Sequence, residues 1–186
     1  MTWKDYLAMV KSLEHNDWRM TEFQEGECCD QLMFTQILGD AVGKLKGHLV
    51  YGRPYDGLSV WQQLMSAMEL VEDKSTLSKR FKNKSVRRAH ALLGLINEIG
   101  ELAEKYVKEC IGEEVSKEDN VEECGDLLFY FTMLVDSFGV TLEDVMRANH
   151  AKLKKVRYKD GFSKEAANHR HTTAELESIK ESLQNE

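Results

Sequence analysis

A chain of 186 residues, 42% hydrophobic and 31% charged, is long enough to bury a core in one domain and has the composition of an ordinary soluble globular protein. Its net charge of −7 argues against nonspecific nucleic-acid binding, because phosphate backbones recruit surplus Lys and Arg. No segment approaches the roughly 20 apolar residues of a membrane span. The cysteines Cys28, Cys29, Cys110 and Cys124 form no C-x-x-C pair with neighbouring histidines, so zinc is not expected, and without an N-terminal signal pattern the chain reads as cytoplasmic with reduced thiols.

The single proline, Pro54, leaves nearly the whole length free of the strongest helix breaker, so the expected fold is all-α, in one domain over 1–186. Trp3, Tyr6, Leu7, Val10 and Leu13 predict an amphipathic helix, interrupted by His15-Asn16-Asp17. A second helical pattern runs from about Glu22 to Val50; its Gly39, Gly43 and Gly47, spaced by four, weaken it but would let another helix come close. Tyr51 to Gly57 reads as a loop, and Leu58 to Val71 as a helix carrying Trp61. The basic run Lys79 to Lys84, with Arg87 and Arg88, is either a solvated linker or a set of cations for a polyphosphate.

Ser85 is a predicted cap for a helix over Val86 to Cys110, whose apolar face includes Leu92, Ile96, Leu102 and Tyr106. Gly112 ends it, Glu113 to Asn120 reads as a polar connection, and Val121 to Phe138 as the next helix. Thr141, with Glu143 and Asp144 behind it, predicts the start of a helix through about Val156. After a turn at Lys159 to Gly161, Ser163 to about Leu183 predicts one polar helix lying on the surface or against a partner.

Chemistry concentrates in Glu98-Ile-Gly-Glu101 and, 21 residues on, Glu123-Cys-Gly-Asp126. Side chains three positions apart share a helix face, so two such pairs facing each other would make a four-carboxylate cage. Like charges held that close need a counter-ion, and oxygen ligands without sulfur or imidazole select Mg²⁺ or Mn²⁺. The pairs sit among Leu95, Ile96, Ile99, Leu102, Leu127 and Leu128, where an unneutralised charge is costly. Gly100 and Gly125, inside the two motifs, would let a backbone or a ligand approach. A di-iron carboxylate bundle would want Glu-x-x-His, which neither segment has.

The stretches His90 to Glu104 and Glu122 to Tyr130 resemble the two acidic helices of the MazG-like all-α nucleoside triphosphate pyrophosphohydrolases, a superfamily that includes dimeric dUTPases and phosphoribosyl-ATP pyrophosphatases. Asn149-His-Ala-Lys-Leu153, with Arg157-Tyr158 and Gly161-Phe162, resembles their phosphate-side segment, most closely that of phage and bacterial MazG-like proteins. The resemblance covers roughly residues 85–170, leaving 20–80 as an unassigned extension. An extra residue separates Lys152-Leu153 from Arg157-Tyr158, and Lys159 stands where proline is usual, so which of Lys154, Lys155 and Arg157 meets phosphate is left open.

What the resemblance implies is a MazG-like helical bundle, a four-helix core with additional N- and C-terminal helices, that hydrolyses (d)NTP to (d)NMP and pyrophosphate in nucleotide-pool control. It implies Glu98, Glu101, Glu123 and Asp126 as Mg²⁺ ligands, with Mn²⁺ a substitute, and Asn149 and Lys152 as contacts to the metal site or the triphosphate. Glu101 or a neighbour would orient the attacking water, and Glu122 would stand beside the ligands or in a surface ion pair. Arg157 and Tyr158 would meet substrate; His90 is a structural histidine or a base contact, and Lys108 a solvated helix end or a phosphate contact. Trp61, Tyr106, Tyr130 and Tyr158 are core residues that could also stack on a base. The family precedent implies a homodimer or a dimer of dimers. Phosphoribosyl-ATP pyrophosphatase or dUTPase-like activity, and a catalytically silent nucleotide-binding module, are the alternatives.

Overall fold

Three helices of the computed structural model, which describes residues 2–13, 22–70, 86–169 and 171–184, begin with the same device: a hydroxyl at the N-cap and an aspartate three residues on. Thr2 with Asp5 starts α1 (Trp3–Leu13), Ser116 with Asp119 starts α5 (Lys117–Asp136), and Thr141 with Asp144 starts α6 (Leu142–His150). Each pair satisfies two otherwise orphaned backbone N–H groups. The box at Ser116 explains why α5 begins at Lys117, four residues before the expected Val121: the second half of the polar connection is the first turn of the helix.

Between these elements lie α2 (Glu22–Tyr51), α3 (Gly57–Leu70) and α4 (Val86–Cys110); α6 is followed by a π-helical turn (Ala151–Arg157), α7 (Lys164–Asn168) and α8 (Thr172–Gln184). The protein is all-α, with no strand among the described residues. The expected interruption at 15–17, the basic run 79–84 and the Ser85 cap lie outside those residues.

The described residues within 1–35 and 69–139 form one compact unit, and those within 36–68 and 140–186 a second. In the first, α4 and α5 make a helical hairpin and α1 packs on α5. Gly112, at φ +86°, closes α4, letting the Glu113 N–H reach the Lys108 carbonyl at 3.0 Å. The hairpin is tight at Gly94, where a Cβ would stand 2.3 Å from the Tyr130 ring. Val10, Ala91 and Met133 form the core, with Tyr6, Phe129 and Leu134 against them; burying Met133 or Val10 is worth about 1.5–3 kcal/mol each. Asp136 of α5 ties the three helices together by pairing with Lys11 of α1 at 2.9 Å and Arg87 of α4 at 2.7 Å.

In the second unit α8 packs on α6 and on the π-helical turn. The helix expected through Val156 changes pitch after His150, and the Tyr158 N–H bonds the Leu153 carbonyl, five residues back, at 2.7 Å. A π turn holds one residue more than an α turn, which is the room that the extra residue expected before Arg157-Tyr158 would need. The single C-terminal helix expected over 163–183 is two helices, because the chain turns extended at His169 (φ −104°, ψ 90°). Nor does α8 lie free: Glu175, Ser178 and Ser182 are buried. The glycine stripe of α2 seats no helix among the described residues. A Cβ on Gly39 or Gly43 would meet nothing within 4 Å, while Gly47 makes room for the Arg53 side chain.

Candidate metal centre

The hairpin carries Glu98 and Glu101 on α4 and Glu123 and Asp126 on α5. Glu98 and Glu123 are each only 6% exposed, and carboxylate oxygens of Glu98, Glu123 and Asp126 lie within 4.8 Å of one another. Glu101 lies one turn beyond Glu98 on α4 and stands outside the three whose oxygens gather this closely. Asn97 bridges the two α4 carboxylates, its Nδ2 donating to Glu101 Oε1 at 2.7 Å and to Glu98 Oε1 at 3.3 Å.

Among the described residues one lysine reaches the group. Lys105 Nζ donates to Glu123 Oε1 at 2.5 Å and to the Asp119 carbonyl at 2.7 Å. This bond holds the Glu123 carboxyl below its ordinary range against the opposing effect of burial. Burial pushes the Glu98 carboxyl up, and the neighbouring carboxylates of Glu123, Glu101 and Asp126 push it further, while Asn97 pulls it down. The same field reaches two tyrosines: burial and then the Asp126 charge raise Tyr6 of α1, and burial and then the Glu98 and Asp126 charges raise Tyr130. The Tyr6 hydroxyl faces the Gly125 carbonyl at 3.5 Å.

Three or four carboxylates against one bonded lysine leave the group short of positive charge. An all-oxygen donor set with two buried members therefore fits a hard divalent cation. Gly100 and Gly125, which the sequence places inside the motifs, face open space: a Cβ on either meets nothing within 4 Å. Close approach of the helices falls to Gly94 instead.

The other expected site residues are spread. His90, on α4, meets the Tyr130 ring edge-on at 5.6 Å between centroids. Glu122 and Tyr106 are exposed, and Lys108 pairs with Glu104 one turn back at 2.7 Å. Trp61 lies on α3, and its side chain is outside the described set. Asn149, Lys152, Arg157 and Tyr158 all belong to the second compact unit. Asn149 is exposed on α6 and Lys152 half-buried in the π turn, with Lys154 and Lys155 exposed beside it. Arg157 puts Nε and Nη2 on the buried carboxylate of Glu175, and Tyr158 packs against Phe162.

Residues 87–162 match the family model of the MazG nucleotide pyrophosphohydrolase domain. Over this stretch, less than half of the chain, the sequence is similar to that domain. No curated protein and no solved structure matches it at a significant level. The MazG match contains both carboxylate pairs and the segment from Asn149 to Phe162, and leaves 36–68 outside it. MazG domains are typically metal-dependent, in keeping with the donor set of the hairpin.

Lys105, Asn97 and Tyr6 are site residues that sequence reasoning passed over. For Asn97 a signal was present, since it stands four residues before Glu101; the same spacing from Glu101 to Lys105 reads only as an exposed pair along one helix. Tyr6, 119 residues from Gly125, had none.

Proposed function

We propose that this protein is a Mg²⁺-dependent nucleoside triphosphate pyrophosphohydrolase acting at the α-phosphorus, cytoplasmic and serving nucleotide-pool control. The observation that carries this reading is the buried carboxylate group of the hairpin, Glu98 and Glu123 with Asp126, inside the family match. Glu98, Glu101, Glu123 and Asp126 would hold the ion, with Mn²⁺ a substitute. When bound, such an ion neutralises triphosphate charge and acidifies a coordinated water.

The chain's own groups do the rest. Asn97 keeps Glu98 and Glu101 aimed the same way, and Lys105 keeps Glu123 ionised. Glu101, or Glu122 beside Glu123, orients the water and accepts its proton. The water oxygen bonds to the α-phosphorus, the bridge from that phosphorus to the β-phosphate oxygen breaks, and its electron pair leaves with pyrophosphate. Lys152 and Asn149 meet the triphosphate, with Arg157 and Tyr158 on the substrate side and His90 a contact to the base. The partners are the nucleotide and a second copy of the chain, as a homodimer or dimer of dimers; neither nucleic acid nor membrane is one.

The test is incubation with each (d)NTP, dUTP and phosphoribosyl-ATP in Mg²⁺, followed by separation of the products. Monophosphate with pyrophosphate supports the reading, and the preferred substrate separates it from the dUTPase-like and phosphoribosyl-ATP alternatives. Orthophosphate release would replace it by a phosphatase, and binding without turnover by a silent module. Asp126→Asn or Glu123→Gln, each neutralising one ligand without changing its shape, is expected to lower turnover by about 100-fold or more, with helicity by circular dichroism retained. Unchanged turnover would remove that residue from the ligand set.

A further inference from the structure

A hollow of about 520 Å³ in the second compact unit is formed largely by residues outside the MazG match. Its α2 wall carries Gly39, Gly43 and Lys46 at spacings of four and three, one face of the helix, with Lys44 beside them. The 52–56 loop adds Arg53, and the π turn contributes Arg157 and, just after it, Tyr158. Four cations line the hollow against one carboxylate, Asp40, and Arg157 is already offset by Glu175. In a chain of net charge −7 such a local excess of positive charge is not a consequence of composition.

The arginine is held in place. Arg53 Nε donates to Asn168 Oδ1 at 2.7 Å, Nη2 donates to the Ala167 carbonyl at 2.8 Å, and the guanidinium lies 5.3 Å over the Tyr51 ring. Its stem passes Gly47 so closely that a Cβ there would stand 3.1 Å from Arg53 Cδ. One edge is thus spent on fixing the group, and Nη1 lies beside Gly47, 3.6 Å from where a Cβ there would stand. Preorganising a guanidinium in this way lowers the entropy cost of capturing an anion. Lys44 is steadied by Gln63 Oε1 at 2.6 Å, while Lys46 is exposed and has no ion pair among the described residues. The two open glycines leave the middle of the α2 wall bare, with room for a ligand where side chains would otherwise stand.

We infer that this hollow binds a polyphosphate group, through Lys46, Lys44 and Arg53, without a divalent ion. Inorganic pyrophosphate and a nucleoside triphosphate both carry that chemistry. The site goes beyond the hydrolysis reading: Lys44, Lys46 and Arg53 have no part in that reading, although Arg157 and Tyr158, given there to the substrate, also line the hollow. It gives the segment 36–68 a role: an added anion site through which product or substrate is sensed or held.

The experiment is isothermal titration of the full chain with inorganic pyrophosphate, and separately with ATP, in EDTA at physiological salt. Wild type, Lys46→Glu, Gly43→Leu and Glu123→Gln are compared, each checked for helicity by circular dichroism. Gly43→Leu fills the hollow and keeps every charge; Lys46→Glu reverses a charge and keeps the space. Wild type is expected to bind at least one probe, with Kd rising about tenfold in Lys46→Glu or Gly43→Leu and staying unchanged in Glu123→Gln. Binding of pyrophosphate assigns the site to the free anion; binding of ATP alone assigns it to the nucleotide. No heat with either probe, or binding that neither hollow variant weakens, or binding lost in Glu123→Gln, overturns the inference. Because the titration contains no divalent ion, its outcome is separate from that of the turnover assay.

Discussion

Lys105 and the divalent ion proposed above would compete for the same carboxylate, that of Glu123. The ammonium is bonded to Glu123 Oε1 and anchored by the Asp119 carbonyl, so a cation arriving at Glu123 meets a like charge already in contact with its ligand. Lys105 therefore stabilises the metal-free hairpin and opposes metal loading. Lys105→Met keeps the stem and removes the charge. Its melting temperature in EDTA is expected to fall below that of wild type, and the increase on adding Mg²⁺ to exceed the wild-type increase, because binding to the folded state alone adds stability in proportion to affinity. A smaller Mg²⁺ gain than in wild type would show that Lys105 assists the ion. The acidic residues around it were legible because three-residue spacing on a helix depends only on the local pitch. Lys105 was not, since a Lys four residues after a Glu reads as an exposed pair along its own helix, and only the packing of α4 on α5 turns it toward Glu123.

Among the elements, the π-helical turn is the one whose cause lies in a residue count. Five residues separate the Tyr158 N–H from the carbonyl it bonds, where an α-helix would use four. An inserted residue held this way leaves the chain beyond it in place, and Arg157 still meets Glu175 of α8. Deleting Lys154, which is exposed, is expected to return the turn to α pitch with the Arg157 to Glu175 pair intact, so thermal melting should move by no more than a few degrees. A protein that fails to fold after the deletion would mean that the π turn is required by its neighbours. Helix existence and type were legible along the chain, and α1 and α4 fall on their expected bounds. The early start of α5 was missed because Ser116 and Asp119 cap by pairing with each other, so polarity that reads as a loop is the helix signal itself. The break between α7 and α8 was missed because no Pro or Gly marks it.

At the scale of the whole molecule stand two expectations, one for stability in acid and one for self-association. Burial alone would raise the Asp136 carboxyl, but Lys11 and Arg87 outweigh it and hold it below its ordinary 3.8. A carboxyl depressed on folding stabilises the folded state above its unfolded value, and that contribution is lost as pH falls through the depressed one. Asp136→Asn should therefore melt lower than wild type at pH 7 and lose less on acidification below about 3.8, the unfolded reference; parallel melting curves from pH 7 to 3 would exclude the linkage. The second consequence lies on α2, where Leu38, Val42, Leu45 and Leu49 recur at spacings of four, three and four and are 40–72% exposed. That is the apolar seam by which one helix packs on another, and a contiguous exposed row marks an interface more often than a solvated face. A second copy of the chain offers the same row, and a two-fold contact lets each copy cover the other. Sedimentation equilibrium should give wild type two or four times the 21.4 kDa chain mass. Val42→Lys combined with Leu49→Lys, both at exposed positions, should shift it toward the single chain without loss of helicity. Wild type sedimenting as one chain would leave the row without a partner copy, and an unchanged assembly in the double variant would place the contact on another surface.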